Sequence, residues 1–413
     1  MTEGLAARMA AVALLDAVLG EGAMLSQIPE APGLGPQDRA RALRLAAAVL
    51  RQIEPVDKLL SKHLRKIPPL TALNVLRLAV VERSMGAAAH GVVNTAVEMV
   101  RRGNRTGHLT GLVNAVLRAL PDERLLDGQP PQRMPRWLRQ PMVHTYGRDA
   151  VSAIEAVQAR PAPLDLTLRQ GATDLPEGVM LPTGSLRLTD PGQMTGLPGY
   201  ATGQWWVQDA AAALAARLLA PVPGERVLDL CAAPGGKTLQ LADAGARVTA
   251  VDISGPRMAR VAENLARMAL TADLVVADAM QWQPDAPFDA ILLDAPCSAS
   301  GTLRRHPDLP FIKDGSDLPD LIALQAALLD RALGWLAPGG RLVFVTCSLL
   351  PDEGEAQLAG ALARHPGLVV DPVAVEGVSP EWVTDAGGLR LRPDYWAEQG
   401  GMDGFFMARL RLG

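Results

Sequence analysis

The sequence predicts a multidomain protein with an all-helical N-terminal domain, a small α+β connector and a doubly wound α/β domain. Its 413 residues exceed one ordinary domain, because about 150 residues per domain gives two or three. Apolar residues recur at three- and four-residue spacing up to about residue 120, which is typical of a helical bundle. From about residue 210 strands, glycine-rich loops and helices alternate, which indicates a mostly parallel sheet. We place the three domains at residues 1–128, 129–200 and 201–413.

Composition excludes several classes of protein. With 48% hydrophobic and 20% charged residues, the chain matches ordinary globular proteins. No apolar run reaches the roughly 18 residues that span a bilayer, and Glu3 and Arg8 interrupt the pattern of a signal peptide. Three cysteines, none in a metal-binding pattern, argue against a disulfide framework and against a metal site. We therefore expect a cytoplasmic protein with no membrane segment and no metal, and we expect a monomer.

The helical domain has the spacing of a bundle and a basic excess. Val12, Leu15 and Val18 lie on one helical face, and proline-rich breaks fall at residues 29–36 and 68–69. Residues 1–128 carry 16 Lys and Arg against 12 Asp and Glu. This modest positive charge is compatible with RNA contact without requiring it.

The connector begins in a segment rich in Pro, Arg and Gln at residues 121–139, which predicts a linker. Residues 164–170 alternate in polarity as a half-buried strand does. Trp205 and Trp206 precede the α/β domain, and we assign them to the core.

A cofactor loop is predicted between a buried strand at residues 227–230 and a helix that begins near Gly236 or Lys237. Small residues let a backbone approach a ligand closely, and a helix N-terminus offers free N–H groups. The dinucleotide pattern GxGxxG and the P-loop GxxxxGK[ST] are both absent, which argues against a dehydrogenase and a P-loop enzyme. The loop consists of Ala232, Ala233, Pro234, Gly235 and Gly236.

Three aspartates follow successive strands of the predicted sheet. Asp252, Asp278 and Asp294 each stand at or just beyond a strand end. An acid at such a position can accept the ribose hydroxyls of a nucleoside, and the carboxyl ends of parallel strands share one edge. The set predicts a site for an adenosyl cofactor.

Two cysteines follow neighbouring strands on the same edge. Cys297 lies three residues after Asp294, and Cys347 follows the next strand. Near a methyl donor, a thiol at this place suggests methylation of cytosine C5, because C5 becomes nucleophilic only after a nucleophile adds at C6. An aspartate such as Asp294 can hold the base at N3 or N4. The spacing leaves open which cysteine attacks and which group removes the C5 proton.

Several strings carry a resemblance to known families. DLCAAPGGKT, DAPCSASGTLRRHPD and TCSLLPDEGE resemble the signature segments of the Sun or RsmB family of RNA cytosine-C5 methyltransferases, and GGMDGFFMARL resembles its C-terminal segment. Residues around His90, Asn94, Glu98 and Asn114 resemble the RNA-binding NusB family. The resemblance covers nearly the whole chain. It implies a NusB-like bundle followed by a class I, Rossmann-like methyltransferase domain, and RRHPD points within the family to the ribosomal branch.

The resemblance also implies roles at matching positions. Cys347 would be the nucleophile, Cys297 would help to expel the enzyme from the product, and Asp294 would contact the base. Arg304, Arg305 and His306 would contact RNA. The S-adenosylmethionine site would be lined by Cys231, Ala232, Ala233, Pro234, Gly235, Gly236, Lys237, Asp252, Asp278 and Asp294.

Methylation of small-subunit ribosomal RNA, free or in a pre-ribosomal particle, is the function that we expect from this resemblance. Two alternatives remain open at this point. One is the same chemistry on transfer RNA. The other is a non-catalytic NusB-type RNA-binding or antitermination factor, although the presence of both cysteines and all cofactor acids argues against a dead enzyme.

Overall fold

The computed structural model describes residues 4–121, 125–188 and 192–413. Glu3 and short parts of the predicted linker and connector lie outside these residues. The chain divides into two compact units rather than three consecutive domains. The first unit comprises Met1–Gln140, Arg148–Pro161 and Leu303–Asp314, and the second comprises Pro141–Gly147, Ala162–Thr302 and Gly315–Gly413.

The first unit is a helical bundle, as the apolar spacing predicts. Its central helix α4 is buried on all sides, so apolar residues occur around the whole helix instead of along one face. Buried polar groups on α4 are paired, and the amide of Asn74 donates to Asp16 Oδ1 at 2.7 Å. The helices are α1 (Leu5–Asp16), α2 (Pro36–Leu50), α3 (Ile53–Leu60), α4 (Leu70–Ser84), α5 (Ala89–Arg102) and α6 (Thr110–Ala119).

The predicted linker is partly ordered structure. Gln132 Nε2 donates to the carbonyl of Leu50 at 2.9 Å, and the N–H of Arg133 donates to Glu54. Helix α7 (Arg136–Tyr146) begins inside the predicted linker, and α8 (Arg148–Gln158) follows it. Among the described residues of the predicted linker, those before Arg136 form no helix or strand, and side-chain hydrogen bonds attach this extended chain to the bundle.

A small antiparallel sheet lies in the second unit, in the order β2-β3-β1-β4. Its strands are β1 (Leu164–Leu168), β2 (Val179–Met180), β3 (Leu186–Leu188) and β4 (Trp205–Val207), so the sheet extends past the predicted boundary at residue 200. Trp205 and Trp206 are buried, as predicted. The middle of β1 is fully buried, and Asp165 there forms a two-pronged ion pair with Arg187.

The large sheet has the order β10-β12-β9-β8-β5-β6-β7, with β11 also paired to β12. Strands β5 to β9 run parallel, and β10, β11 and β12 form antiparallel pairs at one end. Strand β11, which is three residues long, lies between β10 and β12 in the sequence and pairs with β12. The strands are β5 (Arg226–Leu230), β6 (Arg247–Asp252), β7 (Asp273–Val276), β8 (Phe288–Asp294), β9 (Leu336–Thr346), β10 (Leu368–Val370), β11 (Leu389–Leu391) and β12 (Phe405–Leu412).

Helices accompany the large sheet and bury its apolar strands. They are α9 (Ala210–Leu219), α10 (Gly236–Asp243), α11 (Gly255–Met268), α13 (Leu318–Leu333) and α14 (Glu355–Arg364). The short α12 (Leu309–Ile312) belongs to the first unit, where Phe311 and Ile312 pack on the bundle core. Among the described residues, no helix combines the length and the apolar character needed to cross a membrane.

Candidate active site

The predicted cofactor loop lies between β5 and α10. Gly235 has φ of +99° and precedes the helix, so a residue with a side chain would be strained there. A Cβ at Gly235 would also lie 2.9 Å from Val261 Cγ1. Ala232 and Ala233 are buried, Pro234 is exposed, and α10 begins at Gly236, as the sequence predicted. The loop therefore presents backbone at the N-terminus of a helix.

Asp252 and Asp278 follow the strands beside this loop. Asp252 Oδ2 accepts the N–H of Ala233 at 3.0 Å, and Oδ1 accepts the N–H of Ser254 at 2.9 Å. A carboxylate has about four acceptor positions, so two remain for ribose hydroxyls. Asp278 accepts the N–H of Met280, and the neighbouring N–H of Ala277 donates to the carbonyl of Asp252. The two acids therefore occupy adjacent strand ends.

Lys237 and Asp294 form an ion pair on the same edge. Lys237 Nζ lies 2.7 Å from Asp294 Oδ2, and the lysine is buried. Burial lowers the pKa of Lys237, but the charge and the hydrogen bond of Asp294, together with the nearby Asp229 and Cys347, outweigh it, so the pKa lies above its usual value. Lys237 is therefore a fixed cation beside the strand ends.

The two predicted catalytic cysteines are in contact. Cys297 Sγ and Cys347 Sγ are 3.4 Å apart. Their loops are joined by the backbone, because the N–H of Ala295 donates to Val345 and that of Gly301 to Cys347. The hydrogen bond to Cys347, followed by burial, raises the pKa of Cys297 well above its usual value. Cys297 is therefore held as a thiol that can donate to the sulfur of Cys347.

Cys231 lies in the cofactor loop and has a different environment. Burial, followed by the nearby carboxylates of Asp294, Asp252 and Asp229, raises the pKa of its thiol. Its left-handed backbone, with φ of +63°, belongs to the turn after β5. Cys231 therefore fits a packing role in the loop.

The sequence did not single out Asp229, which lies on β5 below the loop. The side chain is fully buried, Oδ2 accepts the hydroxyl of Thr238 at 2.6 Å, and Oδ1 has no hydrogen-bond partner among the described residues. Burial raises its pKa from 3.8 to about 7. In the sequence, an aspartate inside a strand cannot be distinguished from one at a strand end, so no local pattern marks Asp229.

The sequence also missed the close approach of two glycines behind the cysteine loops. The N–H of Gly404 donates to the carbonyl of Gly301 at 2.8 Å. A Cβ on Gly301 would lie 1.9 Å from the oxygen of Gly404, so only glycine fits. The resemblance includes the segment that contains Gly404. Its contact with the Cys297 loop could not be predicted, because the contacting residues are about 100 positions apart in the sequence.

The structure contradicts the predicted RNA contact of Arg304. Its side chain is fully buried in the first unit, and its carbonyl accepts Arg51 Nη2 at 2.6 Å. A buried guanidinium cannot reach a phosphate without opening the surrounding core. Arg305 is half-buried and His306 is exposed, so RNA contact by these two residues stays a prediction.

Comparison with known proteins agrees with this geometry. Residues 216–411 match the family model for the 16S rRNA methyltransferase RsmB/F, and residues 5–122 match that of the NusB family. The chain is 34% identical over 444 residues to the ribosomal RNA small subunit methyltransferase B of Cronobacter sakazakii, covering 99% of each protein. It is also 34% identical to the protein of the same name from Pseudomonas putida, covering 98% of each.

Solved structures share the fold. The crystal structure of PH0851 covers 100% of this chain, and this chain covers 99% of it, with a TM-score of 0.74 at 22% identity. A methyltransferase homolog protein from Pyrococcus horikoshii covers 66% of this chain, with 94% of its own chain aligned, a TM-score of 0.55 and 27% identity. The predicted helical and Rossmann-like architecture is thus confirmed. Because it is 34% identical over nearly its whole length to these ribosomal RNA small subunit methyltransferases, this chain belongs to the RsmB/F family of RNA methyltransferases.

Proposed function

We propose that this protein transfers a methyl group from S-adenosylmethionine to C5 of a cytidine in small-subunit ribosomal RNA. The contact between Cys297 and Cys347, beside the ion pair of Lys237 and Asp294, carries the proposal. The relatives are named as ribosomal RNA small subunit methyltransferases, which supports the substrate class. The acceptor is free rRNA or a pre-ribosomal particle.

The residues around the loop fit an adenosyl cofactor. The close backbone at Gly235, the start of α10 and the remaining acceptor positions of Asp252 suit a nucleoside with a ribose diol. When bound, S-adenosylmethionine supplies an electrophilic methyl group. Asp278, on the next strand end, completes the edge that would hold the nucleoside.

Cys347 is assigned as the nucleophile that adds to C6 of the cytosine. Cys297 remains protonated and donates its hydrogen bond toward Cys347. The cation of Lys237 stabilises negative charge near Cys347, since these two groups interact electrostatically. Because the raised pKa keeps Cys297 as a thiol, we assign the attack to Cys347, a choice that the spacing in the sequence left open.

Asp294 is assigned to the amidine edge of the base. Its carboxylate can accept a hydrogen bond from the N4 amino group of cytosine, while the cation of Lys237 balances the negative charge that develops in the ring. Once C5 carries the methyl group, a base takes the C5 proton, the electron pair of that C–H bond restores the double bond between C5 and C6, and the bond between C6 and the sulfur of Cys347 breaks with its electrons on sulfur. Cys297 assists this departure. The base must leave its stack to reach the site, at a cost of a few kcal/mol.

Substitution of each cysteine tests the assignment. Cys347→Ala should abolish transfer of labelled methyl groups, whereas Cys297→Ala should accumulate a covalent RNA adduct on a denaturing gel. An adduct trapped by Cys347→Ala instead would reverse the two roles.

The substrate is tested with unmodified small-subunit rRNA and transfer RNA in parallel, followed by nucleoside analysis. We expect 5-methylcytidine in the rRNA alone. Label in transfer RNA alone would replace the substrate. If neither free RNA nor a pre-ribosomal particle is labelled while the cofactor binds, the RNA-binding-factor alternative is favoured.

A further inference from the structure

A buried glutamate lies behind the two catalytic cysteines. Glu353 is fully buried, in the short turn before α14. Its Oε1 accepts the N–H of Ser298 at 2.8 Å and Gln325 Nε2 at 3.0 Å. Its Oε2 accepts the hydroxyls of Ser298 and Ser348, each at 2.5 Å. Four donors thus converge on one carboxylate.

These donors lie beside the cysteines in the sequence and in space. Ser298 follows Cys297 and Ser348 follows Cys347, so Glu353 holds the residue after each thiol. The Ser300 hydroxyl strengthens the link, since it lies 3.0 Å from Ser348 Oγ. The carboxylate is the common acceptor that joins the two loops.

The charge of this group matters to the arrangement. An ionised carboxylate only accepts hydrogen bonds and offers about four acceptor positions, which the four donors fill. Hydrogen bonds to a charged group are roughly twice as strong as neutral ones. Glu353→Gln would direct N–H groups toward the two hydroxyls that now donate to Oε2. Glu353→Ala would leave all four donors without their acceptor.

We propose that Glu353 is the positioning residue that keeps the Cys297 and Cys347 thiols in contact. It touches neither thiol, and it acts through Ser298 and Ser348. The consequence for catalysis rests on the proposed function, in which one thiol attacks the base and the other thiol assists the release of that sulfur from the base. The thiol contact itself can be measured without methyl transfer.

The experiment follows oxidation of the two thiols by diamide in the full-length protein. Two S–H bonds break, one S–S bond forms, and the two hydrogens reduce the N=N bond of diamide. Peptide mass spectrometry identifies the Cys297–Cys347 disulfide and measures its rate of formation. We expect the rate to fall about tenfold in Glu353→Ala and less in Glu353→Gln, because the effective concentration of one thiol near the other drops.

The matched control is Glu155→Gln in the first unit. Glu155 is also a buried glutamate, which accepts the N–H of Met134 and pairs with Arg139. It controls for general loss of a buried carboxylate, and the rate of disulfide formation should stay at the wild-type value. Thermal unfolding is measured for every variant, and Ser348→Ala takes the place of Glu353→Ala if that variant does not fold.

A wild-type rate of disulfide formation in folded Glu353→Gln and Glu353→Ala would overturn the proposal. Methyl transfer is then measured for the same variants. A fall in kcat with KM unchanged, together with slower oxidation, supports positioning. Slower oxidation in an enzyme whose wild type methylates no RNA would leave positioning intact and reject the proposed function.

Discussion

The three cysteines show how one residue type acquires different properties from its surroundings. Cys297 lies against another thiol, whereas burial and three nearby aspartates act on Cys231. A thiol with a raised pKa is rarely a thiolate, and the thiolate is the form that reacts. We therefore expect iodoacetamide to label Cys231 slowly, with a rate that rises about tenfold for each pH unit from 7 to 9, because its thiol titrates above that range. Peptide mass spectrometry over time tests this, and a labelling rate that levels off between pH 7 and pH 9 would contradict it.

Asp229 makes a prediction about stability and pH. Burial raises its pKa from 3.8 to about 7, so the folded state binds the proton more tightly than the unfolded state. Its stabilising contribution is present below about pH 4 and is lost as the pH rises through 7. From pH 4 to pH 8, the stability of Asp229→Asn should therefore rise relative to wild type, by up to about 4 kcal/mol.

Denaturant unfolding at a series of pH values measures this difference. Asp285→Asn is a control with the opposite sign, because hydrogen bonding to Arg226 lowers the pKa of Asp285. Its stability relative to wild type should rise as the pH falls below about 4. A flat difference for Asp229→Asn across the series would show that its carboxyl is not protonated in the folded state near neutral pH.

At the scale of elements, the start of α10 depends on a glycine for two reasons. Gly235→Ala would strain a backbone with φ of +99° and push a Cβ against Val261. Gly339 has φ of +78° with open space around its Cβ position, so Gly339→Ala isolates the strain alone. We expect Gly235→Ala to weaken S-adenosylmethionine binding about tenfold or more, and Gly339→Ala to leave it unchanged. Calorimetric titration measures both, and equal affinities would contradict a cofactor role for this turn.

Regular elements with local signals could be predicted from the sequence. The β5 strand, the Gly235 turn and the β6 strand with Asp252 at its end are short-range patterns of apolar, small and acidic residues. The hydrogen bonds from Gln132 and Arg133 that attach the linker segment to the bundle could not be predicted, because composition does not reveal them. The Glu353 network and the contact between Gly301 and Gly404 join distant segments, so local patterns give no sign of them.

For the whole molecule, the clearest departure from the predicted domains is residues 303–314. This segment lies in the methyltransferase half of the sequence but packs within the helical unit. The N–H of Leu25 donates to Asp308 Oδ2 at 2.8 Å, and the side chain of Arg304 is fully buried. Three of the five residues of the RRHPD string, Arg304, Pro307 and Asp308, are therefore buried within the helical unit.

Arg304→Ala should consequently act on stability. We expect a loss of about 2–4 kcal/mol, because the substitution removes a large, fully buried side chain and leaves a cavity. The salt dependence of RNA binding should stay as in wild type for Arg304→Ala. Arg305→Ala, its neighbour, should reduce the salt slope by about one if Arg305 contacts a phosphate. Thermal unfolding and filter binding at several salt concentrations separate the two, and a lower salt slope with unchanged stability in Arg304→Ala would contradict this assignment.

The return of the chain to the helical unit also bears on how such a protein can evolve. The chain changes unit after Gln140, Gly147, Pro161, Thr302 and Asp314. A single genetic crossover between the two halves would carry the bundle away without the segment that completes its core. Replacement of the bundle by that of another protein would therefore require a matched exchange of residues 303–314.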